Sequence, residues 1–152
     1  MDTQPLVQSL IQAFRAVPDP RSTQGRRHPL PAILTLATAA MLSGARSLYA
    51  IAQWGRLQSP EFVHAMGFTR DKTPTVSTLH EVFSVLDAPA FELALQGWAR
   101  RQWGEQPDRI AIDGKGLRGI HGEELPGARL ISAYTDKAGL VLAQAGGQRQ
   151  RA

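Results

Sequence analysis

The chain contains no cysteine. That excludes disulfide frameworks and thiolate metal sites, and it is consistent with a reducing cytosol. A long hydrophobic run is also missing. The longest uncharged stretch, residues 29–45, is rich in alanine and threonine, carries prolines at 29 and 31, and stops at Arg46. A membrane span needs about 20 predominantly apolar residues, so the stretch reads as a buried helix and no membrane is expected as a partner. The opening residues, MDTQPLVQSL, have neither a basic n-region nor a small-residue cleavage site and do not read as a signal peptide. No internal repeat is present. The 4 histidines are scattered without metal-ligand spacing and read as structural.

What is present suits a globular protein. The 152 residues are 43% hydrophobic, enough for one ordinary domain or a small domain plus the start of a second. Lys and Arg number 17 against 13 Asp and Glu, a formal net charge of +4. This mild basic excess favours nucleic acid or anionic surfaces as partners without requiring them.

Apolar spacing in the first hundred residues is helical. Leu6, Leu10 and Phe14, with Val7 and Ile11 beside them, predict a first helix, capped by Thr3 and stopped by Pro18. A polar loop follows, DPRSTQGRRH, with Arg21, Arg26 and Arg27. Residues 30–42 are too long for a strand and predict a core helix ending near Gly44. Ser47 is placed to cap a helix through Ile51, Trp54 and Leu57. Ser59-Pro60-Glu61 has the features of a helix start: a capping oxygen, proline at the first position and an acid in the first turn. That short helix stops at Gly67. The loop FTRDKTP then leads to a helix through Val76, Leu79, Phe83 and Leu86, and Asp87 caps a last helix through Phe91, Leu95 and Trp98 that closes near Gly104.

After Pro107 the pattern changes. RIAID, ARLISAYT and GLVLAQ read as three strands, the last two joined by a DKAG turn. The expected fold class is therefore α+β: an all-helical domain over residues 1–104, then three antiparallel strands within residues 105–152. A sheet of three strands would still need helices to cover it.

Asp113, in IAIDGKGLRG, ends an apolar strand and precedes a glycine-rich basic loop. A carboxylate at the end of a buried strand needs compensation, which a divalent metal supplies. The alternative is a tight Asp-Gly turn with Gly114. The same loop spells G-x-G-x-x-G, but IHGEELPG follows, and no helix can start there to hold a pyrophosphate. Arg21, Arg26, Arg27 and His28 are candidates for phosphate contact or for a solvated loop. Residues 60–86 can be read as a helix-turn-helix exposing Thr75, Ser77, Thr78 and His80 to DNA, or as plain helix packing, which the acidic Glu81 favours. Trp54, Trp98 and Trp103 lie at helical positions and read as core or rim.

Four segments in order resemble the DDE transposases of the H-repeat-associated (ISAs-type) insertion-sequence family. They are FRAVPDPRSTQGRRHPLPAIL, ATAAMLSGARSLYAIAQWG, TPTVSTLHEVFSVLD and IAIDGKGLRG. The resemblance covers residues 10 to about 144. It implies that residues 1–104 are a transposase-associated helical domain and that residues 105–152 open a ribonuclease H-like catalytic domain. In that family three acids hold two divalent metals, Mg2+ or Mn2+, for phosphodiester cleavage and strand transfer. Asp113 then matches the first acid, as catalytic residue and metal ligand, and Lys115 and Arg118 beside it are expected to join Arg21, Arg26 and Arg27 in contacting DNA. Glu123, Glu124 and Asp136 do not match the other two acids. The chain is thus expected to be an N-terminal portion, inactive alone and not binding metal productively. The resemblance further implies transposon-end DNA as a partner, a homodimer or full-length transposase as another, and a cytoplasmic protein that joins the nucleoid when on DNA. Two other readings stand beside it: a regulatory module that binds DNA or inhibits the full-length enzyme, and an independent metal-dependent or nucleotide-binding enzyme.

Overall fold

In the computed structural model, residues 4–23, residues 26–103 and Pro126 are the described part of the chain. Six helices form there: α1 Gln4–Phe14, α2 Leu30–Leu42, α3 Leu48–Arg56, α4 Pro60–Ala65, α5 Val76–Val85 and α6 Ala88–Trp103.

Helix α2 is the centre. It carries no charge, and every residue except Pro31 is buried. A helix apolar all round has to be surrounded, and α1 and α3 pack against it. Alanines at 32, 37, 39 and 40, all buried, keep its surface low and let neighbours approach closely. Thr38 disposes of its hydroxyl by donating to the Leu34 carbonyl oxygen at 2.8 Å, which satisfies a polar group inside an apolar helix.

The ends of the helices are local chemistry. Ser47 accepts from the Ala50 N–H and Ser59 from the Phe62 N–H, both at 3.1 Å. Thr75 accepts from Thr78 at 3.2 Å, and Asp87 from Ala90 at 3.1 Å. Each satisfies one donor that the first turn leaves orphaned. Two helices end in the same way. At α2 the Ala45 N–H reaches the Ala40 carbonyl at 2.9 Å and the Gly44 N–H reaches Met41 at 3.0 Å. At α4 the Phe68 N–H reaches Val63 at 3.4 Å and Gly67 reaches His64 at 2.9 Å. This is the Schellman arrangement, which needs a positive φ at its glycine. Gly44 and Gly67 have φ of 110° and 108°.

The first helix lays Val7, Leu10 and Phe14, all fully buried, against α2 and α6. The Phe14 ring meets Phe91 of α6 at 5.3 Å, and Phe91 meets Phe83 of α5 at 6.3 Å, so one aromatic row ties three helices together. The Trp98 indole N–H donates to Ser9 Oγ at 2.8 Å, and Ser9 in turn donates to the Leu6 carbonyl oxygen at 2.7 Å. Helix α5 also packs on α3, and α4 touches α1. Trp54 and Trp98 are core residues, as their helical positions suggest.

The α+β class is corrected by these elements: among the described residues there are helices and no strand. The described span is the part whose apolar spacing is helical throughout. Its helices cover one another's apolar faces, so the core closes without a sheet. The expected strands RIAID, ARLISAYT and GLVLAQ lie outside the described residues, as does the expected cap Thr3.

Candidate nucleic-acid interface

Two connections meet at His28. Residues 15–29 join α1 to α2, and residues 66–75 join α4 to α5. The His28 imidazole and the Phe68 ring meet edge to face, with centroids 5.5 Å apart and planes at 82°. Both residues are buried.

The first connection is organised by Asp19. Its carboxylate accepts from the Arg21 backbone N–H at 3.1 Å and from Arg21 Nε and Nη2 at 2.9 Å each. Arg21 Nη2 also donates to the His28 carbonyl oxygen at 2.8 Å, which ties the start of the loop to its end. Planar, forked and permanently charged, the guanidinium suits this pairing. Arg26 closes over the turn: its Nε and Nη2 donate to the Arg21 carbonyl oxygen at 3.1 and 2.7 Å, and Nη2 reaches the Asp19 carbonyl at 3.3 Å. Hydrogen bonding from Arg21 holds the Asp19 carboxyl below its ordinary value, against the opposing effect of burial.

The three loop arginines therefore occupy different positions. Arg21 has a side chain only 11% exposed and engaged within the loop. Arg26 is 43% exposed but directs its guanidinium at backbone carbonyls. Arg27 is exposed. From the second connection Arg70 is exposed too, and so is Lys72. Burial pushes the His28 imidazole below its usual value, and the positive charges of Arg70, Arg27 and Arg21 act in the same direction. Arg27 and Arg70, remote in sequence, thus both lie near one buried ring.

The second connection has a fastening of its own. On α4, His64 Nδ1 lies 3.0 Å from the Phe68 carbonyl oxygen, and Nε2 lies 2.6 Å from Asp71 Oδ1. A carbonyl and a carboxylate can only accept, so both contacts are hydrogen bonds only when both ring nitrogens carry hydrogen. The Asp71 hydrogen bond raises the His64 pKa above its usual value, and the Phe68 carbonyl adds to the effect.

On α5, Thr75 and Thr78 are occupied by the cap, while Ser77, His80 and Glu81 are exposed. Leu79, Val82 and Phe83 of this helix are buried in the core. The connection before it, residues 66–75, is far longer than the roughly 3–4-residue turn of a helix-turn-helix. The geometry favours packing for α4 and α5. Asp113, Lys115 and Arg118 lie outside the described residues, and so does the Trp103 side chain. Among the described residues no three His, Asp, Glu or Cys side chains gather to hold a metal ion. Asp113, the residue to which the resemblance assigns a divalent metal, is not among them. Nor does any described helix have the length and apolarity to cross a membrane.

Sequence reasoning did not single out Arg70, Lys72 or the His64–Asp71 pair. The Arg-Asp-Lys run inside FTRDKTP was a visible signal. Its proximity to GRRH was not, because it depends on Phe68 packing against His28.

Several relatives of this chain are named as putative transposases. It is 34% identical over 135 residues to "Uncharacterized protein in dhlA 3'region" of Xanthobacter autotrophicus, covering 86% of this chain and 45% of that one. It is 32% identical over 142 residues to "Putative transposase YncI" of Escherichia coli strain K12, covering 91% of this chain and 56% of that protein. With "H repeat-associated putative transposase YhhI" of the same strain it shares 30% over 141 residues, 91% of this chain and 37% of the other. The chain thus spans about half, or less, of the length of the curated relatives it matches. No solved structure matches it. The model of the DDE_Tnp_1-associated family matches residues 11–99, the span that holds five of the six helices from their first residue and the last turn of α1. By that match over more than half of its length, the chain belongs to the DDE_Tnp_1-associated family of transposase-related proteins.

Proposed function

We propose that the helical part of this chain holds an insertion-sequence transposase on DNA by gripping the phosphate backbone with the cationic face around His28. The observation that carries this reading is the convergence of Arg27 and Arg70, both exposed, from two separate connections. Rigid helices on either side hold these loops, and cations so presented suit the regularly spaced phosphates of a duplex. Arg26 contributes charge at the edge. Arg21 serves mainly to hold the loop. No base-reading element is required, so the contact positions the duplex more than it selects a sequence. The sequence reading adds Asp113 as a metal-binding catalytic carboxylate, flanked by Lys115 and Arg118 on DNA. That assignment rests on the resemblance of IAIDGKGLRG to the strand that carries the family's first catalytic acid.

The test is fluorescence anisotropy of a labelled duplex titrated with the full chain from low to moderate salt. For wild type the log of affinity should fall linearly with the log of salt. Each phosphate contact contributes about 0.9 to that slope. Replacing Arg27 and Arg70 together by Ala should flatten it by about two contacts' worth, with little dependence on duplex sequence. A double variant with the wild-type slope would refute the role of this face.

A further inference from the structure

One side chain ties the loop that carries Arg70 and Lys72 at two points. His64 holds the backbone of Phe68 through Nδ1 at 3.0 Å and the side chain of Asp71 through Nε2 at 2.6 Å. Phe68 is the residue against which His28 packs, and Asp71 is flanked by the two cations. Building on the reading of this face as phosphate-binding, we propose that His64 is a proton-operated latch that sets the α4–α5 loop, so that Arg70 stands beside Arg27 only while the imidazole is doubly protonated. In this role His64 is a positioning residue; it acts on DNA through Arg70.

The chemistry is asymmetric between the two charge states. The imidazolium donates to both acceptors. A neutral ring donates to one and turns a lone pair toward the other oxygen, so one of the two ties is lost and replaced by repulsion. The electrostatic setting favours the charged ring. Asp71 faces it directly, and Glu61 lies one turn earlier on its own helix. Helix α1, which packs against α4, carries no ionisable side chain. The opposing cations are Arg70 and Lys72, on either side of Asp71, and Arg27 near His28, whose own imidazole is held toward the neutral form. The His64 value is raised in the folded chain, so the tie is fully present below the ordinary histidine value and is lost as the pH rises through the raised one. Loop order and duplex affinity should therefore both be higher on the acid side.

Two measurements on the full chain decide this. The first is hydrogen exchange of residues 66–74 in the free protein, corrected for intrinsic rates, alongside a proton NMR titration of the imidazoles. The second is anisotropy of a labelled duplex at fixed low salt across the same pH range. In wild type, loop protection and affinity should fall together as His64 titrates, with affinity dropping on the order of the several-fold loss expected for one phosphate contact. His64→Gln and Asp71→Asn should remove both pH steps and leave the weaker level. Asp71→Asn is the discriminating variant, because it adds positive charge. If the imidazolium touched phosphate itself, this variant would bind more tightly and keep its pH step, and the latch would be overturned. A pH step that survives in His64→Gln would overturn it as well, by assigning the step to another histidine. If wild type binds no duplex at any pH, the proposed function fails by itself and exchange in the free chain still judges the latch. Protection that follows the His64 titration keeps it, and protection indifferent to that titration ends it.

Discussion

Replacing Arg21 by Ala separates the two roles open to a loop arginine. The side chain makes two charge-assisted hydrogen bonds to Asp19 at 2.9 Å and one to the His28 carbonyl at 2.8 Å, and it is only 11% exposed. Charge-assisted bonds contribute about 1.5–3 kcal/mol each when well protected. They are not additive here, because Arg26 stays 3.4 Å from the Asp19 carboxylate and can take over part of the pairing. A loss of about 2–3 kcal/mol is expected, since one partner of a partly buried pair is removed and the other stays. For a helical unit of roughly a hundred residues that lowers the Tm by on the order of 10 °C. Arg21→Lys should recover little, because an ammonium cannot make the paired contact. There is also an acid limb. The Asp19 value is lowered in the fold, so its contribution is present above the ordinary 3.8 and is lost as the pH falls through the lowered value. Urea unfolding followed by far-UV circular dichroism measures both effects, at neutral pH and below pH about 4. An Arg21→Ala chain as stable as wild type within about 0.5 kcal/mol, with a salt slope for duplex binding reduced by a full contact, would refute the reasoning and return Arg21 to the DNA-binding set.

Three substitutions probe how the helices are joined. Gly67→Ala should destabilise by about 1–3 kcal/mol, since φ is 108° and the new Cβ would lie 3.3 Å from that of Ala32. Gly44→Ala should cost less, because φ is similar at 110° but nothing lies within 4 Å; equal losses in urea titrations would discount the contact with α2. Ser9→Ala removes an acceptor from the buried Trp98 indole and should cost about 1–2 kcal/mol, read as a lower urea midpoint with unchanged m-value. An unchanged midpoint would show that the α1–α6 junction does not depend on this bond.

The helical part of the fold was legible from sequence because the signals that form it are local. A cap such as Ser47, Ser59 or Asp87 acts three residues away. Gly44 ends α2 through bonds spanning a single turn. An uncharged run such as residues 30–42 has nowhere to go but the interior. The arginines of DPRSTQGRRH cannot be told apart from sequence, because a cation in a polar loop looks the same whether it is solvated, bound to phosphate or spent on the loop itself. Asp19 lies close to Arg21 in sequence, yet only the folded loop brings the His28 carbonyl to the same guanidinium and removes Arg21 from water.

Short-range signals set which of the described segments become helices, where those helices start and stop and which faces they bury, and four ordered segments carry the family resemblance. Tertiary structure decided which charges share a face. Arg27 and Arg70 both come near His28 because Phe68, placed by the end of α4, packs against that ring at the threshold of α2. Helix signals are written in bonds a few residues long. A charged face is assembled by burial of distant apolar rings, and the linear pattern carries no record of which ring meets which.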